Sequence, residues 1–489
     1  MLTEQFVAAV GVPTRAPGTN ATKDVGIFIN ESQPLNAQRT VFKKSATLPN
    51  GLAISATHVF AAQAGKGVVH VYQRQKGNQE ATVPFTEKLT CIALACNDTV
   101  LVCGTAEGRI FLWEIASGRQ VTTAQSHLQA VNALAVDPTS NFLLSASADS
   151  TVHTWSIPKL LSFSDSGIEP LSPSTTFTSH NASVNCLAVG HSATSCNIAV
   201  SGSSDQTCLV WDYHTNTLLR TFLLTSIPLS LALDPADRAI YVGHQDGSVQ
   251  QLNLFASEGQ PRQLLMNRAQ RTTSAAPPIQ PPPTSIWRSP DSTLGPALCV
   301  SVSFDGNTVL SGHENGNMLM WDVARPASPA SLLPLPHAGP ITNVSFLPAI
   351  GFTNDTRRTV TISTVTKPKF GAFDSAMGIV PDNYALNVEL SLKHPGSRIS
   401  PFEQALHGPT FPVHMIDEGL HELLHWGQDH GGNALLQAEL DALRRLQKAS
   451  FEKIEKVNAE KRALLDREHK RLAGVHSLDT NGHLDPESP

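Results

Sequence analysis

The chain has 489 residues, with 35 basic and 41 acidic side chains and a formal net charge of −6. Hydrophobic residues make up 41% and charged residues only 16%, which excludes an intrinsically disordered chain, since disorder needs the opposite balance. The 32 glycines and 33 prolines are close to an ordinary share, so collagen-like and low-complexity classes are excluded as well. The net charge gives no general attraction to nucleic acid or an anionic membrane.

The N-terminus and the cysteines indicate a reducing compartment. The only early apolar run, residues 6–10, is too short for a signal peptide, and no basic region precedes it. The 7 cysteines are scattered without a Cys-x-x-Cys pair, which favours small buried thiols over disulfides. No apolar run approaches the ~18 residues of a membrane span. We therefore expect a soluble intracellular protein without a membrane partner.

A repeat of roughly 42 residues dominates the first three quarters of the chain. An acidic residue or asparagine lies six positions before a tryptophan or leucine at Trp113, Trp155, Trp211, Leu252 and Trp321. Each copy has alternating apolar runs on both sides of a polar turn, with a further alternating run upstream. Four short strands per repeat are typical of a WD40 β-propeller blade, so the predicted fold class is all-β.

Six such units run from residue 51 to about residue 337. A seventh can be assembled from both ends of the array, because residues 5–9, 25–30, 39–44, 341–347 and 358–364 all have strand-like alternation. We predict seven blades closed by the N-terminal strands, over residues 1–369. Eight blades remain an alternative, because the two ends offer more strands than one blade needs.

Two blades contain a complete set of polar residues that can form one hydrogen-bonded chain. The sets are His127, Ser145, Asp149 and Trp155, and His180, Ser201, Asp205 and Trp211. Serine, histidine and aspartate also make a catalytic triad. The structural interpretation is better, because the set recurs blade by blade and ends on an indole donor. We predict no catalytic residues and no enzymatic activity.

Two segments interrupt or follow the repeats. Residues 256–296 contain eight prolines and are predicted to be a disordered loop, either a solvated spacer or a partner-docking segment. Residues 370–430 are predicted to be an irregular extension. Within it, His421-Glu-Leu-Leu-His425 matches the zinc-peptidase pattern, in which two histidines one helical turn apart bind Zn²⁺. Because nothing around the run resembles a peptidase, we assign it a structural or partner contact and predict no metal and no cofactor.

A C-terminal helix is predicted over residues 431–474, followed by a disordered tail over 475–489. Residues 433–473 contain no proline or glycine, whereas Gly432 and Gly474 flank them. The predicted partner-binding side chains are Leu436, Leu440, Leu443, Leu446, Phe451, Ile454, Val457 and Leu464. Such a stripe needs a partner surface, supplied by coiled-coil pairing, another subunit or the propeller itself. Ten basic against seven acidic residues allow at most weak or indirect RNA contact.

Three segments resemble one WD-repeat family beyond a generic propeller: residues 107–119, 227–235 and 241–249. The chain is similar in these runs, and in its C-terminal helix, to the fungal pre-rRNA-processing Ipi-three proteins, called WD-repeat protein eighteen in animals. The resemblance covers about residues 1–370 and the helix, whereas residues 370–430 match nothing in the family.

The resemblance implies a non-catalytic scaffold subunit of the Rix-type complex, which acts on the pre-60S ribosomal particle. Family members support removal of the second internal transcribed spacer and recruitment of the midasin-type AAA ATPase. It implies a nuclear location, between nucleolus and nucleoplasm, and complex assembly with possible homodimerisation through the helix. An alternative is a WD40 adaptor in another nuclear complex, for chromatin, DNA replication or ubiquitin ligation. The sequence leaves open which propeller face binds partners.

Overall fold

The structure is a computed structural model. It describes residues 3–12, 26–33, 37–163, 171–191, 197–254, 278–290, 293–326, 330–332, 339–349, 360–362, 364–369, 380, 384–390 and 433–479. Contacts divide the chain into two compact units, Met1–Lys393 and His394–Pro489.

The first unit contains seven four-stranded antiparallel sheets. Three strands precede the first repeat: β1 (Glu4–Val10), β2 (Gly26–Gln33) and β3 (Ala37–Lys43). Blade 1 consists of β4 (Thr47–Ile54), β5 (His58–Gln63), β6 (Val68–Gln73) and β7 (Gln79–Pro84). Blade 2 consists of β8 (Leu89–Ala95), β9 (Val100–Thr105), β10 (Ile110–Glu114) and β11 (Gln120–Thr122). Blade 3 consists of β12 (Val131–Val136), β13 (Phe142–Ser147), β14 (Val152–Ser156), a short helix α1 (Ile157–Leu161) and β15 (Thr175–Phe177).

The remaining blades follow in the same pattern. Blade 4 consists of β16 (Val184–Val189), β17 (Ile198–Ser203), β18 (Thr207–Asp212) and β19 (Thr217–Leu223). Blade 5 consists of β20 (Pro228–Leu233), β21 (Ala239–His244), β22 (Val249–Asn253) and, after a single 3-10 turn (Pro283–Ser285), β23 (Ile286–Trp287). Blade 6 consists of β24 (Ala297–Val302), β25 (Thr308–His313), β26 (Met318–Asp322) and β27 (Ala330–Leu332). Strand β28 (Ile341–Phe346) follows.

Blade 7 joins the two ends of the ring, with strand order β28–β1–β2–β3. Strand β28 pairs with β1, and it also lies against β4 of blade 1, so the ring is closed. The predicted seven-bladed propeller is confirmed. The run 358–364, which suggested an eighth blade, instead contains a short strand, β29 (Val360–Thr361), that pairs with β30 (Glu389–Leu390) outside the seven sheets.

The hydrophobic core lies between neighbouring blades, because each sheet buries both faces. Trp113 packs with Phe60 and Phe85 between blades 1 and 2. Trp321 packs with Tyr241 and Trp287 between blades 5 and 6. We call the side with the turns between second and third strands, and the connections between blades, the top face. The opposite side is the bottom face.

A small residue in the second strand accommodates a side chain of the first. A Cβ added to Gly104, Gly202 or Gly312 would lie 2.6, 2.7 or 2.6 Å from the sulfur of Cys91, Cys186 or Cys299, respectively. Blade 3 has an alanine pair at the matching register, Ala133 opposite Ala146. The two strands therefore share one fixed volume. Cysteine and glycine fill it in blades 2, 4 and 6, and two alanines fill it in blade 3.

The proline-rich insertion is partly ordered, which corrects the prediction of a disordered loop over residues 256–296. Strand β23 supplies the outer strand of blade 5, and Trp287 within it is 3% exposed. Ile279 also pairs with β19 of blade 4 through its backbone N–H and C=O. Burial of an indole in the core between blades 5 and 6 outweighs the local preference of the prolines for an extended, solvated chain. Residues 255–277 lie outside the described residues.

The chain after blade 7 returns along the bottom face to blades 1 to 3. The backbone N–H of Thr366 donates to Ile115 O (2.9 Å), and that of Lys369 donates to Gly118 O (2.8 Å). Residues 364–369, which we call the strap, therefore lie against blade 2. The compact unit extends to Lys393 and so includes part of the predicted extension over residues 370–430, while the propeller boundary at residue 369 stays a prediction. Residues 391–432, including His421 and His425, lie outside the described residues.

The second unit contains a long helix, α2 (Asn433–Asp479). It continues past Gly474, where we predicted the helix to end and a disordered tail to follow. A single interior glycine costs a helix only about 1 kcal/mol, and the next proline is Pro486. Side chains on α2 are described for residues 441, 444, 445 and 447–468.

Candidate functional site: buried polar chains and an exposed helical stripe

Blade 3 contains an unbroken chain of hydrogen bonds from its core to its top face. The Trp155 Nε1–H donates to Ser145 Oγ (3.0 Å), which lies 2.8 Å from His127 Nε2, and His127 Nδ1 lies 3.1 Å from Asp149 Oδ2. Because an indole can only donate, Ser145 accepts from it and donates its own hydrogen to His127. This assigns the remaining imidazole hydrogen to Nδ1, which donates to the carboxylate.

Blade 4 repeats this geometry. The Trp211 Nε1–H donates to Ser201 Oγ (2.9 Å), Ser201 Oγ lies 2.8 Å from His180 Nε2, and His180 Nδ1 lies 3.2 Å from Asp205 Oδ2. The structure thus brings together the members of each predicted set. The spacing of serine and tryptophan makes them diagonal neighbours, two register positions apart on the second and third strands. The histidine enters from the connection between blades.

These sets are built for structural hydrogen bonding. Ser145 and Ser201 are 0% exposed, so neither hydroxyl can reach a substrate. Burial lowers the pKa of His127 to about 4 and also lowers the pKa of His180, so both imidazoles are neutral near pH 7. A neutral imidazole is the form that can accept from serine while donating to aspartate.

The aspartates also fix the top-face connections. Asp149 Oδ2 accepts the backbone N–H of Leu128 (2.9 Å), and Asp205 Oδ2 accepts that of Asn181 (2.9 Å). Leu128 is 86% exposed, so a buried polar chain holds an apolar side chain in solvent on the top face. This is a feature that sequence reasoning missed.

In two other blades, the histidine lies at the end of the second strand instead of in the connection before the first. Sequence reasoning also missed this arrangement. In blade 6, Trp321 Nε1–H donates to Ser311 Oγ (2.8 Å), which lies 2.9 Å from His313 Nε2. In blade 5, His244 Nε2 lies 3.0 Å from Gln250 Oε1. Both histidines end the second strand and follow a glycine. The repeated Gly-His pair was the available signal.

Blade 2 has no serine at the matching position, which is occupied by Cys103. The Trp113 Nε1–H donates instead to the backbone carbonyl of Thr366 in the strap (3.0 Å). Because a buried indole N–H needs an acceptor, the strap replaces the missing serine of this blade. The two residues are 253 positions apart, so no local pattern could have indicated the contact.

A polar network on the bottom face ties the extension to blades 2 and 3. Glu114 Oε2 accepts from Tyr384 OH (2.7 Å), and Glu114 Oε1 lies 3.1 Å from Arg119 Nη1. The Arg119 guanidinium lies 3.7 Å from the ring centroid of Phe163. Burial and the neighbouring Glu114 carboxylate raise the pKa of Tyr384 to about 12, so it stays a donor. This network covers part of the bottom face with the protein's own chain.

Helix α2 carries large apolar side chains in solvent. Phe451, Ile454, Val457 and Leu464 are 53%, 54%, 60% and 63% exposed, and the adjacent Leu465 is 47% exposed. Leu436, Leu440, Leu443 and Leu446 lie in the same helix, but their side chains are outside the described set. Ile454, Val457 and Leu464 recur at heptad spacing and therefore lie along one side of the helix. We call Ile454, Val457 and Leu464 the stripe.

Metal binding finds no support in the parts of the chain that the structure describes. Within them, no group of three or more His, Cys, Asp or Glu side chains could hold a metal ion. The run 421–425 lies outside this set, so its assigned role stays a prediction. Among the described residues, neither helix contains an apolar stretch of membrane-spanning length.

Seven four-stranded blades and repeated Ser–His–Trp chains define a WD40-repeat β-propeller protein. The WD40 family (WD domain, G-beta repeat) matches residues 118–156, 171–212 and 288–322. Each matched segment contains one serine–tryptophan hydrogen bond described above, ending at Trp155, Trp211 and Trp321.

Among known proteins, the chain is similar to fungal pre-rRNA-processing proteins and animal WD-repeat proteins. It is 29% identical to "Pre-rRNA-processing protein IPI3" of Yarrowia lipolytica over 322 residues, 64% of this chain and 72% of the relative. It is 28% identical to "WD repeat-containing protein 18" of Rattus norvegicus, over 61% of this chain and 64% of the relative. The human protein of that name is 26% identical, over 72% and 77%. The predicted resemblance is confirmed.

Proposed function

We propose that this protein is a non-catalytic scaffold subunit of a pre-60S ribosome-assembly complex, required for pre-rRNA processing and large-subunit maturation. The observation that carries the proposal is the similarity to proteins named for pre-rRNA processing, over 64% and 58% of this chain. The buried state of both Ser–His–Asp sets supports a binding role over a catalytic one. The finer assignments are a Rix-type complex, removal of the second internal transcribed spacer, recruitment of a midasin-type AAA ATPase, and a nuclear location.

Helix α2 is the proposed assembly element. Its exposed stripe would cost free energy in water unless a partner helix covers it, at roughly 25 cal/mol for each Å² of apolar surface buried. The partner is another subunit or a second copy of this chain. Polar residues at Gln447, Ser450 and Lys461 interrupt the seam, which favours a specific pairing over indiscriminate association.

Affinity purification of the tagged full chain tests the proposal. The double variant Val457→Lys with Leu464→Glu keeps the net charge and should lose large-subunit assembly factors and spacer-containing RNA at least about tenfold. The matched control, Glu452→Lys with Lys456→Glu, exchanges two charges on the opposite side of the helix and should retain them. Both should leave the melting temperature of the propeller unchanged.

Two results would count against the proposal. Recovery of cullin-type or histone-modifying subunits, without pre-ribosomal factors, would show a WD40 adaptor of another nuclear complex. Full retention of every partner by the stripe variant would remove the assembly role of α2 while leaving the ribosomal assignment intact.

A further inference from the structure

A cleft opens on the top face between blades 5 and 6. It has a volume of about 230 Å³, and its lining includes Asp246, Gly247, Arg288, Ser289, Leu294 and Gly295. The two glycines bring the loops together, since a Cβ on Gly247 would lie 2.6 Å from Gly295 O. Leu294 is 4% exposed and supplies an apolar wall. The cleft is smaller than the ~300 Å³ at which sites for drug-sized ligands begin, so it suits one side chain.

The cleft holds a cation whose nearest carboxylate is beyond hydrogen-bonding distance. Arg288 Nη2 lies 3.6 Å from Asp246 Oδ2, and the two side chains are 69% and 37% exposed. Arg288 makes no closer polar contact among the described residues. Asp246 Oδ1 is already occupied by the N–H (3.1 Å) and the hydroxyl (2.6 Å) of Ser248. The guanidinium therefore keeps donors available for an additional acceptor.

The backbone of Arg288 is fixed by the buried residue before it. Arg288 follows Trp287, which is 3% exposed and lies 6.0 Å, centroid to centroid, from the ring of Trp321. A cation presented from a rigid backbone loses less conformational freedom on binding than one on a mobile loop. The cleft thus combines a cation on a fixed backbone, an apolar wall and two closely packed glycine-containing loops.

We propose that this cleft binds the carboxylate side chain of an aspartate or glutamate, presented by an extended segment of a partner protein. The planar guanidinium of Arg288 matches a carboxylate with two parallel hydrogen bonds. Asp246 stands next to the incoming group and repels it, and this repulsion is about twofold larger for a dianionic phosphate. The attraction to Arg288 doubles as well, so charge alone does not separate a carboxylate from a phosphorylated residue, and the phosphoserine peptide below distinguishes the two.

The proposal does not depend on which complex the protein joins. It is tested with synthetic peptides and the purified full chain, so its failure would leave the ribosomal assignment untouched. Conversely, a different set of cellular partners would leave the chemistry of the cleft unchanged.

Titration of the full chain with three blocked tripeptides, monitored through the methyl resonances of Leu294, tests the cleft. The probes are acetyl-Ala-Glu-Leu-amide, its Gln counterpart and its phosphoserine counterpart. The glutamate peptide should bind about fivefold or more tightly than the glutamine peptide, as expected for a partly exposed ion pair. Arg288→Gln should abolish that preference, whereas Asp246→Asn should increase it, because a repelling charge is removed.

Arg325→Gln, at an exposed arginine on the bottom face, is the matched control and should behave as wild type. Equal binding of the glutamate and glutamine peptides, or no shift of Leu294 at millimolar peptide, would overturn the proposal. A preference that survives Arg288→Gln in a variant with wild-type melting temperature would do the same. Tighter binding of the phosphoserine peptide would replace the carboxylate assignment by a phosphate one.

Discussion

At the scale of single residues, buried neutral histidines make the stability of the fold sensitive to mild acid. Burial holds the pKa of His127 at about 4, below the ordinary value near 6.5, and burial also lowers the pKa values of His180, His244 and His313. A depressed histidine pKa means that the unfolded state binds the proton first. The stabilisation is therefore complete above about pH 6.5 and is lost as the pH falls towards 4.

We predict that the free energy of unfolding falls between about pH 6.5 and pH 4.5, with His127 alone contributing about 1.4 kcal/mol per pH unit over this range. His127→Gln retains an acceptor and a donor but removes the titrating group. The variant should be less stable near pH 7 and show a shallower pH dependence, which urea unfolding at several pH values measures. An unchanged slope would show that His127 does not titrate on unfolding.

The glycine–cysteine pairs give a second prediction at this scale. Gly202→Ala should destabilise the protein by about 1–3 kcal/mol, because the new methyl would lie 2.7 Å from the Cys186 sulfur. Adding Cys186→Ala recreates the alanine pair of blade 3. Denaturant unfolding of all four proteins should give a favourable coupling of at least about 0.5 kcal/mol. Strictly additive effects would contradict the shared-volume explanation.

Sequence spacing predicted the hydrogen-bonded sets of blades 3 and 4, because all their members lie within one repeat. It could not indicate the bond from Trp113 to Thr366, whose partners are 253 positions apart. It also missed His313, since that histidine occupies the second strand instead of the connection before the first. Local periodicity detects residues within one repeat. It cannot show that a carbonyl group far along the chain takes the place of a missing serine.

At the scale of elements, the contact between the strap and blade 2 can be tested with a single substitution. A Cβ on Gly118 would lie 2.6 Å from Lys367 O, and this glycine has φ of +78°. Gly65 has φ of +70° and no atom within 4 Å of an added Cβ, so it carries similar backbone strain without the clash. The two positions form a matched pair.

We predict that Gly118→Ala displaces the strap, whereas Gly65→Ala does not. Limited trypsin digestion at about 25 °C should cleave after Lys369 at least about tenfold faster in Gly118→Ala, because the strap must open locally to enter the protease. The bond after Lys367 resists trypsin, since Pro368 follows it. Equal rates in the two variants would show that the strap does not depend on this close approach.

Element boundaries were predicted well where apolar alternation is long, and poorly elsewhere. Strand β23 has two residues and lies in a proline-rich stretch, so only burial of Trp287 reveals it. Helix α2 passes Gly474 because one glycine is a weak stop signal without a following proline. In both places, packing or chain context decides what local composition leaves open.

At the scale of the whole molecule, a closed ring of antiparallel sheets is combined with a helix that exposes apolar side chains. Closure of the ring leaves only short strand edges exposed. The buried polar chains fix the loops on the top face. The low 16% charge of the chain follows from this design, since buried strands exclude charge. The helix, by contrast, is solvent-exposed over residues 447–468 and needs a partner.

The proposal that the exposed stripe supports pre-60S assembly is tested most directly by measuring precursor RNA that retains the second internal transcribed spacer. The measurement is made in cells whose own copy is replaced by the stripe variant, Val457→Lys with Leu464→Glu. We predict that this precursor accumulates several-fold, whereas the charge-exchanged control, Glu452→Lys with Lys456→Glu, processes it normally. Normal processing in cells that carry only a stably folded stripe variant would contradict the account.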